Sequence, residues 1–175
     1  VVLAAGSWSL LVEGSGLPPG SVRPVRGQIA IFATRPPLLS RVVFSGHGYL
    51  VPRADGRVLC GSTMEEVGFE KAVTVAGLRH VLDVALGIAP PLARAPVVET
   101  WSNFRPASPD GEPILGAGAI AGLFYATGHT RNGILLAPVT ADAIAAAVLG
   151  AAPPVDLAPF SPSRLAGILG APLGA

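Results

Sequence analysis

Arg105 follows an alternating run, Val97 to Phe104, and directly precedes a proline. As a strand this run puts Glu99, Trp101, Asn103 and Arg105 on one side, because successive side chains alternate faces. A guanidinium held rigidly at a strand end can grip a carboxylate with two parallel charge-assisted hydrogen bonds. His47 and Tyr49 are two apart on another predicted strand and share a face. A hairpin turning at Asp55-Gly56, with Ala54 opposite Arg57, sets His47 opposite Met64 and gathers His47, Tyr49 and Met64 in one patch. Each residue alone also has an ordinary reading: a surface salt bridge, a half-buried tyrosine, a core methionine. His80 lies in a predicted helix with no partner in sight and reads as solvated. The chain has no carboxylate pair at catalytic spacing, Gly-x-Ser-x-Gly elbow, P-loop or His-Glu-x-x-His, so hydrolysis and phosphoryl transfer have no support.

A second place for chemistry is Gly122 to Thr140. Leu123 to Thr127 has the composition of a short buried strand, punctuated by Gly128. Asn132-Gly133 marks the next turn, and from Ile134 the residues Ile134, Leu135, Val139, Ile144 and Val148 recur at helical spacing. A strand that turns through glycine into a helix leaves free backbone N–H groups and the positive end of the helix dipole, a ready anion site. His129 and Arg131 flank that point. An ordinary strand-to-helix turn fits the same residues.

These candidates need a scaffold. Val1 to Ala5 reads as a buried strand ending at Gly6, with Ser7-Trp-Ser9 opening a helical turn and Gly14 to Gly20 a connection. Val25 to Ala33 is a predicted strand closed by Pro36-Pro37, and Val42 to Ser45, Tyr49 to Arg53 and Arg57 to Thr63 follow as strands. Val73 to Gly87 has helical spacing with Thr74 as N-cap, and Pro90-Pro91 stops it. Pro109-Asp-Gly111 is a turn, and the Pro- and Ala-rich tail after Gly150 is expected to wrap the surface. The pattern predicts an α/β (α+β) chain, with a mostly antiparallel sheet and one helix set between two pieces of an α/β fold. That is the plan of a two-domain enzyme with its site between the domains.

Composition narrows the classes. The 175 residues carry a net charge of +1, so nothing points to nucleic acid or an acidic membrane surface. Lys71 is the sole lysine, which reflects genome base composition more than function. Mean hydropathy is +0.57, yet the most apolar stretch, Ile134 to Val155, is broken by Pro138, Asp142, Pro153 and Pro154. A membrane span needs about 20 consecutive apolar residues. Cys60 is the single cysteine, so neither an internal disulfide nor a cysteine-based zinc cluster is available. The chain opens inside an apolar strand pattern without methionine, and the expectation is the C-terminal part of a longer, cytoplasmic protein.

Seven stretches run in one order: Val2-Leu-Ala-Ala-Gly-Ser-Trp-Ser9, Pro24-Val-Arg-Gly-Gln28, His47-Gly-Tyr-Leu-Val-Pro-Arg53, Asp55-Gly-Arg-Val-Leu-Cys-Gly-Ser-Thr-Met-Glu-Glu66, Glu99-Thr-Trp-Ser-Asn-Phe-Arg-Pro106, Pro109-Asp-Gly-Glu-Pro-Ile-Leu-Gly116 and Ala126-Thr-Gly-His-Thr-Arg-Asn-Gly-Ile-Leu-Leu-Ala-Pro138. With these the chain resembles the C-terminal half of the glycine oxidase branch, the thiamine-pathway type, of the D-amino-acid oxidase family of FAD-dependent oxidoreductases. The resemblance covers nearly all of residues 1 to 150. It implies an antiparallel-sheet substrate domain (22–105) inserted into an incomplete Rossmann-like FAD domain (1–21 and 106–150), followed by a tail (151–175).

The resemblance also implies roles. Arg105 would bind the substrate carboxylate, with the Tyr49 hydroxyl on the same group and Arg131 as a second contact. His47 and Met64 would line the pocket. Gly128, His129, Thr130, Arg131, Asn132, Gly133, Ile134 and Leu135 would run along the flavin, with Ala5 and Gly6 near it. The family reaction moves a hydride from the amino-acid Cα to flavin N5, yields an imine and reduces O2 to H2O2. Partners would be a small, glycine-like amino acid, O2, an upstream FAD-binding segment and, in a homo-oligomer, further copies of the chain; neither nucleic acid nor membrane is implied. A sarcosine or D-amino-acid oxidase or dehydrogenase, or a non-catalytic truncated assembly domain, are the alternatives. Two departures stand out. The Gly-x-Gly-x-x-Gly fingerprint for the dinucleotide pyrophosphate is absent, and Ser102-Asn-Phe104 precedes Arg105 where the family has smaller residues.

Overall fold

The computed structural model describes residues 1–170, so the last five residues of the 151–175 tail lie outside the described residues. In chain order the strands are β1 (Val2–Leu3), β2 (Arg23–Ala33), β3 (Val43–Ser45), β4 (Gly48–Pro52), β5 (Arg57–Gly61), β6 (Val97–Ala107), β7 (Ile114–Ala117) and β8 (Phe124–Thr127). The α-helices are α1 (Val75–Ile88), α2 (Gly133–Val148) and α3 (Arg164–Leu169). The chain divides into two compact units, one of Val1–Val25 with the chain from Arg105 onward, the other Arg26–Phe104.

In the second unit five strands form one sheet in the order β3-β4-β5-β2-β6. Ala30, Cys60 and Leu50 stand in register across β2, β5 and β4. They pack with Val81, Val84 and Ala85 of α1, a face rotated from the helical spacing of Val75, Leu78, Leu82, Ala85 and Leu86 that the sequence suggests. Ala85 is buried, Leu78 and Leu82 pack at its margin, and Val75 and Leu86 are exposed. Each fully buried valine or leucine here contributes roughly 1.5–3 kcal/mol. Thr74 caps α1 as expected, its side-chain oxygen accepting from the Gly77 N–H at 3.1 Å. A buried polar cluster ties that cap to the sheet. Gln28 donates from Nε2 to Glu65 (2.8 and 3.1 Å) and to Thr74 Oγ1 (3.1 Å), and accepts from the Thr74 N–H (2.9 Å). Arg26, 3% exposed, donates to Glu65 and to the Glu70 backbone and side chain.

The β4–β5 hairpin differs from the sequence expectation by one residue. Ala54 does not stand opposite Arg57; instead the Arg53 N–H donates to the Arg57 carbonyl, the Arg53 carbonyl accepts from the Gly56 N–H, and Tyr49 faces Gly61. The reason lies in the turn. Gly56 takes φ +85° but Asp55 is not at positive φ, as a two-residue Asp-Gly turn would require, so Ala54-Asp55-Gly56 forms a longer, bulged loop. His47 therefore does not pair with Met64: it lies in the turn between β3 and β4.

In the first unit β1 runs parallel to β8, and β8 antiparallel to β7. Leu3, Leu17, Val22, Ile114, Tyr125 and Leu165 form its core, and the Tyr125 hydroxyl donates to Ser15 O at 2.6 Å. Two expectations are corrected here. The segment after Gly150 does not merely wrap the surface, because Leu165 of α3 is fully buried and Arg164 donates to both Asp110 carboxylate oxygens at 2.7 and 3.1 Å. Nor does the strand ending in Phe104 stop there. It continues to Ala107, and the Pro106 carbonyl accepts from the Thr130 N–H at 2.9 Å while Ala107 bridges His129. As an edge strand, β6 tolerates the proline's missing N–H.

Candidate functional site

The clearest concave site lies within the first unit. A cavity of about 780 Å³ is lined by residues of β1, β8 and α2, including Thr127 and Gly133, and by Ala4, Gly6, Pro106 and His129 around them. The local sequence explains its shape. Gly133, Ala137, Ala141 and Ala145 recur every four residues along α2 and form a small-residue stripe on its cavity side, bordered by the larger Thr140, Ile144 and Val148. On the opposite wall Gly6 takes φ +55°. Its carbonyl is fixed by the Ser9 hydroxyl at 2.8 Å and the Thr127 hydroxyl at 3.2 Å.

Electrostatics at the α2 N-terminus favour an anion. Asn132 makes no side-chain cap, and the first turn holds no acidic residue, so the N–H groups of Gly133, Ile134 and Leu135 keep no helical partner. Arg131 is exposed beside them. The loop is held firmly: Thr130 takes φ 51°, the sole non-glycine residue at positive φ among the described residues. For a β-branched residue this costs on the order of 1–3 kcal/mol, and the Thr130 N–H bond to Pro106 helps hold it. His129 is half-buried, and burial pushes its pKa below the ordinary histidine value, leaving a neutral ring at neutral pH. Its Nε2 lies 3.0 Å from Thr140 Oγ1. Ile134 and Leu135, at 95% and 78% exposed, set two large apolar side chains next to the free N–H groups, a sign of a covered surface in the working molecule.

Of the predicted residues, Gly6, His129 and Gly133 line this cavity together. Ala5, Gly128, Thr130, Arg131, Asn132, Ile134 and Leu135 flank those three in sequence. Arg105 is half-buried and immediately precedes Pro106, itself a lining residue. Thr140 and the alanine stripe were not among the sequence candidates, although their four-residue spacing after Gly133 is a readable signal.

Tyr49, His47 and Met64 belong to the second unit. Tyr49 points to the sheet face opposite α1, since its neighbour Leu50 is in the core with that helix. His47 lines a separate cavity of about 410 Å³ on the helix side with His80 and Asp83. His80 thus has a structural neighbourhood that the sequence did not indicate. Met64 is 62% exposed, between Thr63 and the clamped Glu65.

The cavity fits a flavin. The Gly133–Ala145 stripe leaves room for a planar ring between larger apolar neighbours such as Ile144 and Val148, and the uncapped helix N-terminus offers donors for the negative charge such a ring gains on reduction.

The model of the family described as FAD dependent oxidoreductase matches residues 1–147. Glycine oxidase of Pseudomonas putida is 39% identical over 166 residues, covering 93% of this chain and 45% of that protein. The Bifunctional protein ThiO/ThiG of Trichormus variabilis is 45% identical over 148 residues, 82% of this chain and 22% of that protein. The crystal structure of glycine oxidase from Geobacillus kaustophilus superposes with a TM-score of 0.88 at 38% identity, over 94% of this chain and 45% of that one. The chain therefore spans less than half the length of these relatives.

Proposed function

Because the chain belongs to the FAD-dependent oxidoreductase family, we propose that it is the C-terminal part of an enzyme that oxidatively deaminates glycine or another small amino acid. The observation that carries this reading is the cavity at the uncapped N-terminus of α2, with Arg105 directly before the lining residue Pro106.

In this reading Arg105 binds the substrate carboxylate by a bidentate pair, and the Tyr49 hydroxyl donates to the same carboxylate. Arg131 is a second polar contact and Met64 lines the substrate pocket, whereas His47, which lines the separate cavity on the α1 side, is left out of it. Ala5, Gly6 and the run Gly128 to Leu135 hold the ring. The N–H groups of Gly133, Ile134 and Leu135 stabilise the charge at its edge. The flavin, when bound, supplies the hydride acceptor and returns the electrons to O2, releasing H2O2 beside the imine product. The protein's own contribution is orientation, which alone accounts for a large part of such a barrier. A substrate amine that arrives neutral needs no strong side-chain base, in keeping with the uncharged His129. Membership in thiamine thiazole biosynthesis accompanies this reading and is supported by the bifunctional relative. No α-helix among the described residues is long and apolar enough to cross a membrane. The free, buried Cys60 suits a reducing cytoplasm.

The test is peroxide production from glycine by the FAD-loaded protein at its relatives' length, with an upstream strand–Gly-x-Gly-x-x-Gly–helix unit supplying the pyrophosphate site. Arg105→Ala should abolish turnover at ordinary glycine concentrations, and unchanged turnover rejects Arg105 as the anchor. The 175-residue chain alone should purify colourless; a yellow stoichiometric flavin complex contradicts the need for that upstream unit.

A further inference from the structure

We propose that Gly61 and Phe44 are positioning residues that fix where the Tyr49 hydroxyl stands. The inference rests on the reading that this hydroxyl meets the substrate carboxylate.

Ile29, Gly61, Tyr49 and Phe44 stand opposite one another across β2, β5, β4 and β3, so all four share the sheet face that α1 does not cover. The Tyr49 ring lies down along this row. A Cβ placed on Gly61 would fall 2.7 Å from the Tyr49 hydroxyl oxygen, 2.8 Å from Cζ and 3.1 Å from Cε2. The phenol end thus rests directly on the Gly61 backbone, a place no side chain leaves open. On the other side Phe44 stacks on Tyr49 with ring centroids 5.9 Å apart and planes 19° from parallel. Phe44 is itself 75% exposed. A large aromatic held that far into solvent gains little from burial, and its described ring contact is with Tyr49. The two neighbours act differently. Gly61 lets the hydroxyl end lie flat on the sheet, and Phe44 limits how far the ring swings away from it.

Space decides what substitution does. A methyl at Gly61 meets the far end of a side chain with free torsions, so Tyr49 rotates off the sheet while the strand stays paired. The fold survives and the hydroxyl moves. The prediction is a loss in carboxylate binding with little change in the chemical step.

The experiment uses the FAD-loaded protein at its relatives' length and reads KM and kcat for glycine together with Kd for acetate, followed by the flavin absorbance. Acetate is a carboxylate without the amine. Tyr49→Phe, Gly61→Ala and Phe44→Leu are each measured, then Gly61→Ala and Phe44→Leu again in the Tyr49→Phe background. Each single variant should raise KM and acetate Kd by about tenfold, the scale of one hydrogen bond to a charged group, with kcat within about twofold. In the Tyr49→Phe background the other two changes should have no further effect, because the hydroxyl they position is gone. If Tyr49→Phe weakens binding but Gly61→Ala and Phe44→Leu do not, or if their effects persist undiminished without the hydroxyl, the positioning role is overturned and the functional reading stands. If Gly61→Ala does not fold, Phe44→Leu, a change at an exposed side chain, decides the matter by the same criteria. Wild-type protein that neither oxidises glycine nor binds acetate overturns both.

Discussion

Arg26 grips Glu65 as a fork, Nε donating to one carboxylate oxygen at 3.0 Å and Nη2 to the other at 3.3 Å. The guanidinium is buried while Glu65 is partly open, so the anion is the member whose loss is felt most. Glu65→Ala should lower the thermal midpoint by several degrees, read by calorimetry. Burial alone would push the Glu65 carboxyl up, but hydrogen bonds from Arg26, Gln28 and Thr63 outweigh it and hold the pKa below the ordinary value. The unfolded chain therefore takes up this proton first as pH falls. Stability from this group is complete above the ordinary carboxylate value and is lost as pH drops through the folded one. Glu65→Gln should flatten that part of a stability–pH curve measured from neutrality to about pH 3.

Gly77→Ala should destabilise, against helix propensity. Alanine is favoured over glycine in a helix by about 1 kcal/mol, but a Cβ at Gly77 would overlap the side-chain amide of Gln28. That amide cannot retreat without giving up its bonds to Glu65 and Thr74. The expected net loss in urea unfolding is about 2 kcal/mol. In a Gln28→Ala background the sign should reverse.

Leu165→Ala tests whether the C-terminal segment is structural. A loose surface tail predicts a change within about 0.5 kcal/mol. The full burial of Leu165 against Leu3, Ile114 and Tyr125 predicts a loss of about 2–5 kcal/mol, measured by denaturant titration.

Cys60 should be inert in the native protein. Burial pushes its thiol up to about 12, and Sγ donates to Val81 O at 3.4 Å beneath α1. A thiol-disulfide reagent near pH 8 should label it only as fast as the unit opens, with full reaction in denaturant. Fast stoichiometric labelling of folded protein would contradict its placement.

Much of this was legible in the sequence for local reasons. The Thr74 cap, the extent of α1 and the strand before Gly128 follow from short-range patterns and appear within a residue or two, whereas the buried face of α1 centres on Val81, Val84 and Ala85 instead of the Val75–Leu86 spacing. The hairpin register did not, because Asp-Gly serves both a two-residue turn and a bulged loop; Gly56 has positive φ in either, and the sign of φ at Asp55, not positive here, decides between them. β7, four residues long, is too short to show a period. The Asp110–Arg164 pair and the burial of Leu165 join segments that a Pro- and Ala-rich composition made look unattached. His129 and Thr140 were separated by a turn whose geometry rests on Thr130. Long-range pairing, more than element type, was the illegible part.

The pairing of Val2 with Phe124 has a consequence for biosynthesis. At about 5–20 residues per second of translation, β1 leaves the ribosome well before its partner strand β8 exists, a wait on the order of ten seconds. Arg26–Phe104 is made in the interval as one uninterrupted stretch and can close its own core while β1 waits. An apolar strand without its neighbour is what chaperones bind. Slowing elongation between residues 105 and 123 should therefore lengthen chaperone association without altering the final fold.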